Sequence, residues 1–184
     1  RARTAQGQLR ARDAVFAAGA WSPVLGRSIG LPWLRKAIQP GKGYSITYSA
    51  PQLVPRRPLT LRERSVCVTA WGSGFRLGST MEFSGYDTTL NERRLGALER
   101  GAREYLHVPV GPQVQEHWYG WRPMSRDDIP LLGPAPGHRH LWLSTGHGMM
   151  GVGMSAGGAQ LLADLMAGRT PAVDAAPFDP ARFA

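Results

Sequence analysis

Residues 141–153 of this chain read LWLSTGHGMMGVG: an apolar run, a glycine-rich turn and the start of an apolar helix. Residues 141–145 predict a short buried strand, and residues 150–167 predict a helix closed by Gly168 as its C-cap. A helix N-terminus carries unpaired N–H groups and a partial positive charge, and glycines let a ligand approach the backbone closely. The stretch therefore predicts a strand–turn–helix unit suited to a flat or anionic ligand.

The same turn fits the pattern G-x-G-x-x-G, which is typical of dinucleotide-binding units. In those units an acidic residue ends a second strand about 20 positions later. Asp164 lies near that distance, but it falls inside the predicted helix, and only a proline-broken tail follows. We therefore do not interpret the turn as a dinucleotide fingerprint. The glycines of the turn and helix are interpreted as room for a ligand, and a tight helix–sheet contact without any ligand is the alternative.

Upstream of this unit, strand and helix patterns are mixed. The predicted strand segments are residues 3–12 (a hairpin), 13–19 (a buried strand ending in a glycine turn), 44–48, 65–71 with 75–83 (a second hairpin), and 114–121. Residues 91–106 predict a helix, capped by Thr88 or Thr89. This order predicts an α+β middle domain, residues 23–119, inserted in an incomplete α/β domain made of residues 1–22 and 120–184.

Composition narrows the function classes. The chain has 184 residues, 42% of them hydrophobic, and six tryptophans, which indicates a globular protein. No stretch approaches the roughly 18 apolar residues of a membrane span. The formal net charge is +9, but the arginines are scattered and no interleaving of aromatic and basic residues resembles an RNA-binding motif, so we predict a solvated basic surface and no nucleic-acid binding. The single cysteine, Cys67, predicts a buried, reduced thiol in a cytoplasmic protein.

One arginine stands at a conspicuous place. The segment Gly120-Trp121-Arg122-Pro123 puts a guanidinium just past the predicted strand 114–121, with a proline fixing the chain beyond it. Arginine is the natural bidentate partner of a carboxylate. The sequence therefore predicts that Arg122 binds a carboxylate, and an internal ion pair with Asp127 or Asp128 is the alternative.

Several segments match one family in order and spacing. They are residues 15–22 (VFAAGAWS), 43–44 (GY), 78–83 (GSTMEF), 120–123 (GWRP), 129–134 (IPLLGP), 146–148 (GHG) and the tail 177–183 (PFDPARF). Together they resemble the FAD-dependent oxidoreductases of the D-amino acid oxidase superfamily, most closely the D-amino acid dehydrogenases. The resemblance implies an antiparallel-sheet substrate domain flanked by the C-terminal pieces of an α/β FAD-binding domain.

The resemblance also implies site residues. Arg122 would bind the substrate carboxylate, and Tyr44 would contact the substrate, with plain core packing as its alternative. The cofactor-binding residues would be Ala18 and Gly19 after the first strand, and Gly146, His147, Gly148, Met149, Met150, Gly151, Val152 and Gly153 at the turn. His147 is as well explained by a structural role. No catalytic acid–base residue and no metal is expected.

The implied reaction is oxidative deamination of D-amino acids by hydride transfer from the substrate Cα to FAD. The implied partners are an amino acid substrate, a missing N-terminal segment of the same enzyme and a membrane quinone as electron acceptor, which would make a cytoplasmic protein peripheral on the inner membrane. Because the family's N-terminal G-x-G-x-x-G is absent from these residues, we expect this chain alone to bind FAD poorly. A glycine or sarcosine oxidase-like relative that uses oxygen, and a non-catalytic fragment, remain the alternatives.

Overall fold

The structure is a computed structural model, and it describes residues 2–184. Arg1, the first residue of the predicted segment 1–22, lies outside the described residues. The strands are β1 (Ala2–Thr4), β2 (Gly7–Leu9), β3 (Ala14–Phe16), β4 (Ile38–Ser49), β5 (Leu59–Leu61), β6 (Val66–Trp71), β7 (Gly74–Glu82), β8 (Val114–Ser125), β9 (Leu131–Pro134) and β10 (Leu141–Thr145). The α-helices are α1 (Ser22–Ser28), α2 (Leu34–Ala37), α3 (Glu92–Arg103) and α4 (Gly151–Met166). The predicted mixture of strands and helices is confirmed.

The chain divides into two compact units. The first consists of Arg1–Pro40 together with Arg122–Ala184, and the second is Gly41–Trp121. Residues 23–40 therefore lie in the first unit, although the predicted middle domain began at residue 23. The reason is packing: Leu34 and Ala37 of α2 share a buried cluster with Leu131 and Leu143. The assignment of the two units to cofactor and substrate stays a prediction.

The first unit contains a small mixed sheet with the strand order β3–β10–β9. Strand β10 runs parallel to β3 and antiparallel to β9. The prediction that β3 is buried is wrong for this chain, since Val15 at its centre is 44% exposed. As the edge strand of the sheet, β3 has a neighbour on one side only, and an edge strand is covered less than a central one.

The second unit is built on a sheet with the strand order β5–β6–β7–β4–β8, in which the β5–β6, β6–β7 and β7–β4 pairs are antiparallel. Helix α3 packs one face of this sheet and buries Leu95, Leu98 and Ala102. Strand side chains alternate between faces, so Tyr44, Ile46 and Tyr48 of β4 point to the same core. The predicted antiparallel middle region is thus confirmed.

The N-cap of α3 differs from the prediction. Asn91 caps the helix, because its Oδ1 accepts hydrogen bonds from the backbone N–H groups of Arg93 and Arg94. Thr89 is engaged elsewhere: its backbone N and its Oγ1 both donate to Asp87. The helix therefore begins at Glu92 and not earlier.

None of the helices in residues 2–184 combines the length and the apolar character that a membrane crossing needs.

Candidate functional site

Two strand ends meet at one edge of the first unit. Because β3 and β10 are parallel, the residues that follow them, Ala18–Gly19 and Gly146, lie at the same edge of the sheet. The hydroxyl of Thr145 joins them: its Oγ1 donates to the Gly19 carbonyl at 3.3 Å and lies 2.7 Å from Ser22 Oγ. Ligands of open parallel sheets bind at such carboxyl ends. The structure therefore brings together the two predicted cofactor-binding segments.

The turn after β10 has a backbone that favours glycine. Gly146 has a φ of +78° and Gly148 a φ of +54°, both in the left-handed region. A Cβ atom at position 146 would lie 3.0 Å from Leu131 Cδ1 and 3.3 Å from Ser125 Cβ. Position 146 thus needs glycine both for its backbone conformation and for space. The turn connects the end of β10 directly to the start of α4.

Within the part of the chain that the structure describes, no side chain caps the N-terminus of α4. Met150 occupies the N-cap position without a capping hydrogen bond, and no acidic residue lies in the first turn. Met149, Met150 and Val152 are 61%, 62% and 92% exposed. A helix start of this kind presents its backbone N–H groups and the positive end of its dipole to the surroundings.

Packing accounts for some glycines of α4 but not for all. A Cβ at Gly158 would touch Leu132 Cδ1 at 3.4 Å and His147 Nε2 at 3.8 Å, and one at Gly151 would lie 3.3 Å from His147 Cβ. At Gly157 a Cβ would meet nothing within 4 Å among the described residues. A helix–sheet contact without a ligand, the alternative given above, therefore explains Gly158. No packing contact among the described residues explains Gly157.

The end of β8 lies beside the glycine turn. Met124 and His147 form an antiparallel bridge, and Gly148 N donates to the Pro123 carbonyl at 2.9 Å. The prediction that the strand ends before Arg122 is wrong, since β8 continues to Ser125 and includes this arginine. Pro123 is tolerated there because β8 is an edge strand of its sheet. The partly buried Arg122 therefore stands next to the two residues that pair with the turn.

His147 has an environment that disfavours the charged form of its imidazole. Burial lowers the pKa of its imidazole below the ordinary value of 6.5. The ring packs along α4, where Gly151 and Gly158 leave room for it. This geometry supports the structural role, and a contact of His147 with a cofactor stays a prediction.

The carboxylate of Asp127 has an arginine partner near the C-terminus. Arg182 Nε lies 2.8 Å from Asp127 Oδ2, and this hydrogen bond lowers the pKa of the Asp127 carboxyl. Arg182 Nη2 also donates to the Ile129 carbonyl at 2.7 Å. The arginine thus ties the tail to the loop after β8.

Tyr44 is placed in the core of the second unit. It is 1% exposed, and its hydroxyl donates to Glu82 Oε1 at 2.6 Å. Burial raises the pKa of this phenol, and the hydrogen bond to Glu82 raises it further. These contacts favour the core-packing alternative, and a contact with substrate stays a prediction.

Sequence reasoning missed two buried polar groups. Thr145 ends the strand that leads into the glycine-rich turn, and that position could have identified its hydroxyl as a link to Gly19. Lys42 is 0% exposed, although a lone lysine between two glycines carries no signal for burial. Asp87, Thr89 and Tyr119, which contact its ammonium group, lie distant in sequence, so only the fold reveals them.

Comparisons with known proteins agree on one family. The family described as DAO, FAD dependent oxidoreductase, matches residues 1–165. A glycine oxidase of Pseudomonas aeruginosa is 37% identical over 179 residues, which cover 97% of this chain and 48% of that protein. A D-amino acid dehydrogenase of Chromohalobacter salexigens is 37% identical over 183 residues, 98% of this chain and 43% of that protein.

Solved structures show the same fold. The crystal structure of glycine oxidase from Geobacillus kaustophilus superposes with a TM-score of 0.79 at 26% identity, over 96% of this chain and 47% of that one. L-proline dehydrogenase from P. horikoshii, at 19% identity, has a TM-score of 0.76 and covers 98% of this chain and 49% of its own. The chain thus spans about half the length of the proteins it matches. It belongs to the DAO family of FAD-dependent oxidoreductases, and FAD is the cofactor of that family, as the sequence predicted.

Proposed function

We propose that this chain supplies the substrate-carboxylate arginine and the flavin-facing helix start of an FAD-dependent enzyme that oxidatively deaminates D-amino acids. The observation that carries the proposal is the bridge between Met124 and His147, which sets the strand bearing Arg122 beside the turn that opens α4. The arginine proposed to bind the carboxylate and the helix start proposed to face the flavin thus belong to one compact unit.

The described residues fit a flavin. The uncapped start of α4 offers backbone N–H groups, Gly146 and Gly148 keep side chains away from the turn, and Ala18–Gly19 lie at the same sheet edge. FAD, when bound, accepts the two electrons released by the substrate carbon. The positive end of the α4 dipole favours the negative charge that arrives with those electrons, by about 0.3–1 kcal/mol. This chain by itself is expected to bind FAD poorly, and absorbance in the flavin bands after purification measures that.

Arg122 is proposed to orient the substrate. A guanidinium holds a carboxylate by two parallel hydrogen bonds, which fixes the direction of the neighbouring Cα–H bond. The geometry of binding, and not proton transfer by a side chain, is then the main contribution of this chain. The imino acid product hydrolyses to a keto acid and ammonia without further help from the residues described.

An oxidase that acts on glycine or a related small amine is the second candidate. Relatives named glycine oxidase and D-amino acid dehydrogenase are both 37% identical to this chain, so identity does not separate the two activities. The two differ in electron acceptor: we propose a membrane quinone, reached by a protein peripheral on the inner membrane, whereas the oxidase reading requires oxygen.

The test uses the protein expressed from the complete open reading frame that contains these residues. Arg122→Met is expected to raise the KM for the amino acid by about 100-fold, since a charge-assisted hydrogen-bonded pair contributes roughly 3 kcal/mol, and to leave flavin content unchanged. Arg126→Met removes an exposed arginine four positions away and is the matched control. Equal KM values for both variants would refute the role of Arg122.

The preferred substrate and the electron acceptor are determined with the same protein preparation. Anaerobic bleaching of the flavin by D-alanine, glycine and sarcosine ranks the substrates, and oxygen uptake against reduction of a quinone analogue ranks the acceptors. Faster bleaching by glycine with stoichiometric oxygen uptake would overturn the dehydrogenase proposal in favour of the oxidase. A bound flavin that none of these amines bleaches would support a non-catalytic protein.

A further inference from the structure

Lys42 is a buried cation at a junction of three segments of the second unit. Its ammonium nitrogen lies 3.2 Å from Asp87 Oδ2 and donates to the Thr89 carbonyl. It also lies 5.3 Å from the ring centroid of Tyr44 and 4.8 Å from that of Tyr119. Strand β4, the segment between β7 and α3, and strand β8 are thus joined at one charge.

The ammonium remains charged at this junction. Burial acts to lower the pKa of Lys42, but its interactions with Tyr44 and Asp87 outweigh burial and raise the pKa. Aromatic faces attract a cation, and a desolvated cation–π contact contributes more than an exposed one. Buried ion pairs can often be replaced by apolar side chains without loss of stability, so stability alone does not explain a charge at this position.

The segment held by Lys42 is otherwise exposed. Residues 83–91, which we name the strap, include the exposed side chains of Phe83 and Leu90 at 54% and 39%. Inside the strap, Tyr86 packs edge-on against Trp121, with ring centroids 5.8 Å apart. Trp121 is also in edge contact with Tyr119 at 5.4 Å. The strap contacts Trp121 and Lys42 contacts Tyr119, so both meet the same pair of rings of β8.

We infer that Lys42 is a positioning residue that latches the strap and, through Tyr119 and Trp121, fixes the segment of β8 that leads into Arg122. Trp121 directly precedes that arginine in the strand, so freedom at the aromatic pair is transmitted along the backbone to the guanidinium. This inference rests on the proposed function for its effect on substrate, but the latch itself is independent of that function.

Lys42→Met is the decisive variant. Methionine replaces the stem of the lysine and removes the charge, and the Asp87 carboxylate that loses its partner is 41% exposed and stays solvated. The free energy of unfolding of the chain is therefore expected to stay close to that of the parent, while amide hydrogens of residues 84–90 exchange about tenfold faster. Asp87→Asn keeps the lysine and weakens the latch, and it is expected to give the same local effect. Arg76→Met is the matched control, because this cation stacks on Trp71 at 5.4 Å in the same sheet and does not bind the strap.

The enzymatic readout is the split between KM and kcat in the complete protein. Lys42→Met is expected to raise the KM for the amino acid about tenfold with kcat nearly retained, and Lys42→Arg is expected to restore part of it. Unchanged amide hydrogen exchange in the strap, or a loss of protection spread evenly over the second unit, would overturn the latch irrespective of the KM and kcat values. Faster strap exchange with an unaltered KM, in a protein where Arg122→Met does raise KM, would overturn the positioning role alone.

Discussion

Replacing Gly146 by alanine is expected to destabilise the first unit by about 3 kcal/mol. An L-residue in the left-handed conformation costs about 1–2 kcal/mol, and Gly146 has a φ of +78°. The new methyl group would lie 3.0 Å from Leu131 Cδ1 and 3.3 Å from Ser125 Cβ, and overpacking of this kind costs roughly 1–3 kcal/mol. Both neighbours are buried, so neither has open space to move into.

The matched control is Gly157→Ala, the same change inside α4. A Cβ there meets nothing within 4 Å in residues 2–184, and alanine is the better helix former by about 1 kcal/mol, so this variant is expected to be more stable than the parent. Urea unfolding of the purified chain, followed by circular dichroism, measures both free energies. If Gly146→Ala unfolds within about 0.5 kcal/mol of the parent, the account of the turn is wrong.

The remaining predictions concern a helix cap and an ion pair. Asn91→Ala removes the cap of α3 and is expected to cost about 1 kcal/mol in the same urea experiment, while Thr88→Ala, at one of the two positions that the sequence suggested, is expected to leave stability unchanged. Arg182 lowers the pKa of Asp127, so the pair stabilises the fold above the unfolded carboxyl pKa of about 3.9, and that contribution is lost as the pH falls through the lower folded value. Arg182→Met is therefore expected to be less stable than the parent at about pH 6, with the difference shrinking below about pH 4; a constant difference across this range would contradict the assignment.

The strand–turn–helix unit could be predicted because its signals are local. The apolar run that ends at Thr145, the glycines that follow and the helical spacing up to Gly168 lie within one continuous stretch, and the structure has β10 and α4 there. The cap of α3 was missed for a local reason of another kind: Asn91 and Thr89 are both good capping residues, and only the turn around Asp87 decides between them.

Long-range features could not be predicted in the same way. The exposure of Val15 depends on the position of β3 at a sheet edge, which a strand pattern does not encode. The burial of Lys42 depends on partners in three separate segments, and the placement of Arg122 inside β8 depends on a bridge to His147 far along the chain. The resemblance to a family supplied roles for such residues where the pattern alone supplied none.

The discontinuous first unit has a consequence for the order of folding. Asp13 and His140 flank the paired ends of β3 and β10, yet they are 127 positions apart, so joining them early would close a very long loop. The closure entropy grows with the logarithm of loop length, at roughly 0.6 kcal/mol for each doubling. The second unit is continuous and dominated by hairpins, and its formation shortens the effective separation of the two strands. Nucleation is therefore expected in residues 41–121, with the parallel pair closing last.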